Sequence, residues 1–222
     1  MNLLQVATAP VIIASVYIYI RDKYEKEPIK LLILGILFGL IIAAPIMEVE
    51  AFLSMFTPGT GGVLEAAYTS FVVASGTEEV FKFIVLYFLI WKNENFNEKF
   101  DGIVYAVFIS LGFAGIENIL YVFNPHLGGY QTAIARAVFS VPGHALFGVA
   151  MGYYYSIAKF EKHTLLKSFF VPWLLHGIYD FILIAKIPSL MLFFIPFVLY
   201  LWVQGMRKIK KHIQSSPFKP QE

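Results

Sequence analysis

Seven apolar stretches, at about 3–20, 29–50, 63–91, 102–123, 131–158, 167–185 and 187–205, dominate this chain. One bilayer crossing takes roughly 20 residues, so seven crossings use about 140 of the 222 residues. In lipid every backbone polar group must be satisfied internally, which a helix of that length achieves by itself. The expected fold is therefore all-α, a polytopic membrane helix bundle of about seven transmembrane helices. Composition agrees: 58% of residues are hydrophobic and 14% are charged, against about 45–50% and about 25% in soluble proteins. What remains makes short loops and a tail, which excludes nucleic-acid readers, soluble cofactor enzymes and secreted disulfide scaffolds. There is no cysteine, so thiolate nucleophiles and cysteine-held zinc or iron–sulfur sites are excluded as well.

No repeat divides the chain, and it reads as one membrane domain over 1–206 followed by a basic tail over 207–222. The third and fifth stretches are long for one crossing and are interrupted at Gly76 and at Pro142-Gly143. Lys and Arg number 4, 0, 2, 0, 3 and 1 in successive intervals and 5 in the tail, counting Lys30 and Lys167, at the very start of their stretches, with the intervals before them; Lys82 and Arg136 lie deeper inside stretches. This alternation follows the positive-inside rule. It places the N-terminus outside and R-K-I-K-K-H (207–212) in the cytoplasm, against anionic lipid. The first stretch lacks a basic leader and a small-residue cleavage site, so it reads as a retained helix and not a signal peptide.

An ionisable group at a helix centre in lipid costs about 2.5–3.5 kcal/mol, so it is rare unless it faces protein or water. This chain has several: Glu78, Glu79 and Lys82 in the third stretch, Glu117 with Asn118 in the fourth, His144 in the fifth, and His176 with Asp180 in the sixth. At a rise of about 1.5 Å per residue, Glu78, Glu79, His144 and His176 fall near the middles of their stretches, and Glu117 lies roughly 7 Å to the outer side. Four helices presenting polar groups at similar depth point to one site at the midplane. Glu78 and Lys82 are four apart and share a face, while Glu79 is turned about 100° away. A single lysine cannot neutralise both carboxylates. His176 and Asp180 are also four apart, the spacing at which a carboxylate orients an imidazole. Both histidines follow a proline, in V-P-G-H (141–144) and V-P-W-L-L-H (171–176). Such prolines are tolerated where a helix lines a polar or protein-filled cavity.

Other residues read as structural. Asp101 is the expected N-cap of the fourth helix. Glu48, Glu50 and Glu65 are expected to be solvated near the outer interface, and Arg136 to snorkel outward. Gly35-x-x-x-Gly39 and Gly148-x-x-x-Gly152 are small-residue seams for close helix contact.

Glutamates and histidines converging at a buried site suit hydrolysis. A carboxylate activates water as general base, and imidazole or amide donors stabilise an oxyanion. The same ligands, Glu79, Glu117, His144 and His176, can instead hold a divalent metal such as zinc, which then activates the water. His-Glu-x-x-His is absent, Ser110 and Ser140 lack the context of a nucleophile, and no Gly-x-Gly-Asp accompanies Tyr179-Asp180. A proton-coupled transporter is the alternative, because midplane Glu and His chains also relay protons; the internal repeat that would favour it is missing.

Six segments, taken together, resemble the PrsW family of bacterial membrane proteases, distant relatives of the type II CAAX prenyl proteases. They are R-D-K-Y-E-K-E-P (21–28), E-E-V-F-K (78–82), F-D-G-I-V-Y-A (100–106), S-L-G-F-A-G-I-E-N-I-L-Y (110–121), H-A-L-F-G-V-A-M-G (144–152) and L-L-H-G-I-Y-D-F-I-L (174–183). The resemblance implies a multi-pass protein of the bacterial plasma membrane that makes the first, outer cut in a membrane-anchored anti-sigma factor. It also implies glutamate-dependent or metal-assisted catalysis by Glu78, Glu79 and His176, joined by His144 and Glu117, with Lys82, Asn118 and Asp180 in support. Two positions depart from the CAAX pattern: Glu117 stands where histidine is common, and Lys82 where arginine is usual.

Overall fold

A computed structural model of the chain describes residues 2–220; the outermost residues of the expected domain and tail, 1 and 221–222, lie outside the described residues. The helices merge end to end into seven rods: α1 (Leu3–Arg21), α2 (Ile29–Ser54), α3 (63–90), α4 (Lys99–Val122), α5 (Tyr130–Phe160), α6 (Leu166–Ile184) and α7 (Pro188–Gln214). Six of them are long and apolar enough to cross a membrane. The exception is α3, whose middle carries Glu78, Glu79 and Lys82. No strand occurs among the described residues.

The rods run alternately up and down through short loops. Loops 22–28, 91–98 and 161–165 share one end with the end of α7, and loops 55–62, 123–129 and 185–187 share the other with the start of α1. The lysine-bearing loops therefore collect at one end of the bundle.

The core is built around α4. Ile103, Val104, Tyr105, Val107 and Leu111 have no solvent exposure, and α5 and α2 pack closely along it. A Cβ added at Gly39 would lie 2.1 Å from the Ile109 carbonyl oxygen, and one at Gly152 would lie 2.1 Å from the Gly102 carbonyl oxygen. The two expected glycine seams thus bring α2 and α5 onto α4 at backbone distance, as small-residue faces do in membranes. On the outer surface, large apolar residues such as Ile13, Phe88 and Leu192 are exposed, as a lipid-facing surface requires.

Two local expectations change. Helix α4 begins at Lys99, so Asp101 is its third residue and not its N-cap. Its Oδ2 reaches back to accept from the backbone N–H groups of Glu98 (2.7 Å) and Asn97 (2.9 Å). Helix α7 runs on to Gln214, beyond the apolar stretch. There Ile209, His212 and Ile213 are buried while Arg207, Lys210 and Lys211 face outward. The His212 ring stacks on Tyr153 at 4.3 Å and its Nδ1 lies 2.9 Å from the Lys99 carbonyl oxygen.

Candidate active site

Helices α3 and α5 each change pitch just before they deliver their polar residues. Residues Thr69–Ala74 and Arg136–Ser140 form π-helical turns. In the first, the Ser75 N–H bonds to the Ser70 carbonyl, and the Phe71 carbonyl accepts from Trp173 Nε1 of α6 at 2.7 Å. In the second, the Val141 N–H bonds to the Arg136 carbonyl immediately before Pro142, which has no N–H to give. Such turns recur at functional sites because one extra residue per turn re-aims every side chain that follows. Here they set the directions of Glu78 and His144.

Glu78, His144 and His176 meet near the middle of their rods, each at most 5% exposed. Glu78 Oε2 lies 3.8 Å from His144 Nδ1 and 4.0 Å from His176 Nδ1, and one ligand atom from each of the three residues falls within 4.8 Å of the others. The far nitrogens are held by carboxylates. His144 Nε2 is 3.0 Å from Glu117 Oε2, and His176 Nε2 is 3.2 Å from Asp180 Oδ2. An imidazole whose outer nitrogen donates to a carboxylate presents its inner nitrogen as a lone-pair donor, the arrangement of metal-ligating histidines. Two imidazoles and one carboxylate are a zinc-type donor set, so the group could hold a divalent metal.

The structure separates the two glutamates. Glu78 lines a cavity of about 720 Å³, together with Glu117, His144, His176 and Asp180. Glu79 is fully buried; its Oε1 lies 3.0 Å from His176 Nδ1 and accepts from Lys82 Nζ at 2.9 Å, while its Oε2 has no partner. The compact ligand group therefore contains Glu78 in the place expected for Glu79. Glu117, expected among the ligands, instead backs His144 and accepts from Arg136 at 2.7 Å. Lys82 also donates to Glu78 Oε2 at 2.8 Å and sits 3.4 Å from His144 Nδ1, with its ammonium over the Phe113 ring at 4.5 Å.

Asn118 stands outside the centre. Its Oδ1 accepts from Arg136 Nε at 3.0 Å and its Nδ2 donates to the Ala7 carbonyl at 2.7 Å, which ties α1 to α4. Arg136 does not snorkel outward but faces the cavity, and Glu50 lines its wall as well. The signal for Arg136 is its place inside an apolar stretch, and the π turn that it opens aims it inward; Glu50 carries no such signal and is brought in because α2 continues as helix to Ser54. The cavity is walled by Ser54, Tyr121, Arg136 and Ile184 toward the lysine-poor end. Phe147 closes the other side by stacking on His176 at 4.6 Å.

No solved structure matches the chain. Curated sequences do. A protein named Protease PrsW from Geobacillus kaustophilus is 39% identical over 214 residues, covering 95% of this chain and 92% of that protein. Proteins of the same name from Clostridioides difficile and Bacillus subtilis are each 37% identical, covering 97% and 91% of this chain and 93% and 92% of their own lengths. The profile described as PrsW family intramembrane metalloprotease matches residues 27–203. With its Glu and His residues gathered in a helical membrane bundle, the chain belongs to the PrsW family of intramembrane metalloproteases.

Proposed function

We propose that this membrane protease makes the first cut in a membrane-anchored anti-sigma factor, at a centre held by Glu78, His144 and His176. The observation that carries the reading is the pairing of both histidines with carboxylates on their outer nitrogens while Nδ1 of each lies within 4.0 Å of Glu78 Oε2. A divalent metal bound there, zinc being the proposed ion, would polarise the scissile carbonyl and lower the pKa of its water. Asp180 and Glu117 keep the two rings oriented, and Arg136 compensates the charge of Glu117. Glu78 is the member of the glutamate pair on the cavity side, and Glu79 backs it from the interior through Lys82. Lys82 offsets the pair's charge, which lipid would otherwise penalise.

The site's access supports an outer cut. The cavity reaches toward the end whose loops carry no lysine or arginine apart from Lys186, and charge placement puts that end outside. The proposed topology is an external N-terminus and a cytoplasmic C-terminus in a bacterial plasma membrane, with 1–206 as protease domain and 207–222 as tail.

One observation favours a metal-free reading. The Lys82 ammonium already lies between Glu78 Oε2 and His144 Nδ1. In that case Glu78 is the general base and the histidines donate to the oxyanion. Cleavage of a co-expressed single-span anti-sigma factor tests both readings. Glu78→Gln and His176→Ala are expected to abolish the first cut at unchanged abundance; undiminished cleavage in both would overturn the assignment. Chelator sensitivity of the purified wild type then separates the two chemistries.

A further inference from the structure

A second group of carboxylates lies at the lysine-bearing end of the bundle, in a motif to which the proteolytic centre gives no task. Asp22, Glu25 and Glu27 come from the loop after α1, and Glu98 and Asp101 from the start of α4. Asp22 and Asp101 have no solvent exposure, and Glu27 and Glu98 are 2% and 3% exposed.

The protein satisfies one oxygen of three of these groups and leaves the other bare. Asp22 Oδ2 accepts from the Glu27 N–H at 3.2 Å, Glu27 Oε2 accepts from the Tyr105 hydroxyl, and Asp101 Oδ2 caps α4. Their second oxygens, Asp22 Oδ1, Glu27 Oε1 and Asp101 Oδ1, are buried with no donor from the protein, as are Glu25 Oε2 and Glu98 Oε2; the Glu27 and Asp101 carboxyl groups lie within hydrogen-bond reach of each other, a contact that needs a shared proton or a cation between them. Three lysines of this end are engaged elsewhere: Lys26 Nζ donates to the Tyr19 carbonyl, Lys99 Nζ to Glu161, and Lys159 Nζ to the Trp91 carbonyl. A buried unpaired carboxylate is strongly penalised, and here five bare oxygens gather in one region. Ligand oxygens of Glu25, Glu27 and Asp101 lie within 4.8 Å of one another.

We propose that this cluster binds a hard divalent cation, Mg²⁺ or Ca²⁺, through Glu25, Glu27 and Asp101, with Asp22 and Glu98 beside them. An all-oxygen carboxylate set selects such ions over zinc, which would favour the imidazoles of the other centre. The ion pins the loop between α1 and α2 to the N-terminus of α4, the rod around which the core is built.

Full-length protein in detergent, stripped with chelator and carrying Glu78→Gln and His176→Ala to disable the first centre, provides the test. Mn²⁺ is titrated and followed by electron paramagnetic resonance, with Mg²⁺, Ca²⁺ and Zn²⁺ as competitors. The expected result is one bound Mn²⁺ per chain, displaced by Mg²⁺ or Ca²⁺. Binding weakens at least about tenfold in Asp101→Asn and also in Glu25→Gln. Glu25 is partly exposed, so its substitution guards against a buried variant that fails to fold. Absence of bound Mn²⁺, or equal binding in both variants, would overturn the proposal. A melting temperature that ignores Mg²⁺ and Ca²⁺ but rises in Glu27→Gln would assign the cluster to shared protons instead.

Discussion

Glu78 and Glu79 are adjacent in sequence, yet about 100° of helical rotation gives one to the cavity and the other to the interior. Substituting either is expected to stop cleavage, by different routes. Glu78→Gln removes a ligand atom from the centre and should release its metal. Glu79→Gln weakens the charge compensation of Lys82 and the contact at His176 Nδ1, which a fall in melting temperature would register. Lys82→Met should be more damaging still, because it leaves two buried carboxylates without their cation; removing one partner of such a pair costs about 3–5 kcal/mol, measurable by denaturant unfolding in detergent. The carboxylates behind the histidines have a separate signature. Asp180→Asn and Glu117→Gln should keep the fold and weaken metal retention about 10–100-fold. Sequence spacing already paired Asp180 with His176, since both lie on one helix. It could not pair Glu117 with His144, whose contact joins two helices and depends on their packing.

The rods themselves are legible as continuous apolar stretches, and the glycine seams as small residues four apart. Gly152 meets the Gly102 carbonyl so closely that Gly152→Ala must push α5 off α4, at a cost of about 1–3 kcal/mol, to be read from thermal unfolding. The π turns were not readable. Gly76 and Pro142 mark the places, but nothing in composition reveals that the helix carries one extra residue there. The turn that absorbs it decides which face Glu78 and His144 present. Deleting Val72 from the Thr69–Ala74 turn is expected to restore α-helical pitch and leave Glu78 on its present face, because the π turn absorbs its extra residue by turning less per residue than an α-helix does; cleavage is expected to survive. Circular dichroism should show the helix content unchanged; loss of cleavage at equal abundance would show that the turn does more than set the face of Glu78.

For the whole molecule, the hydropathy of seven stretches sufficed for an all-α membrane bundle, and the one rod too charged to pass as a crossing, α3, is the rod that carries the glutamate pair. The proposed orientation rests on the lysine-bearing loops and has a clean test, because the chain has no native cysteine. A cysteine at Gly59 should react with an impermeant maleimide in intact cells, and one at Asn95 only after permeabilisation; the reverse pattern would invert the topology and the side of the cut. The proposed chemistry requires Glu78, His144 and His176 to hold a catalytic metal. It is tested most directly by the zinc content of purified protein, measured together with cleavage of a single-span substrate before and after chelation. About one zinc per chain is expected in the wild type and none in Glu78→Gln, with cleavage lost on chelation and restored by zinc. Full cleavage by metal-free wild type would contradict it and leave Glu78, neutralised by Lys82, as the base that activates water.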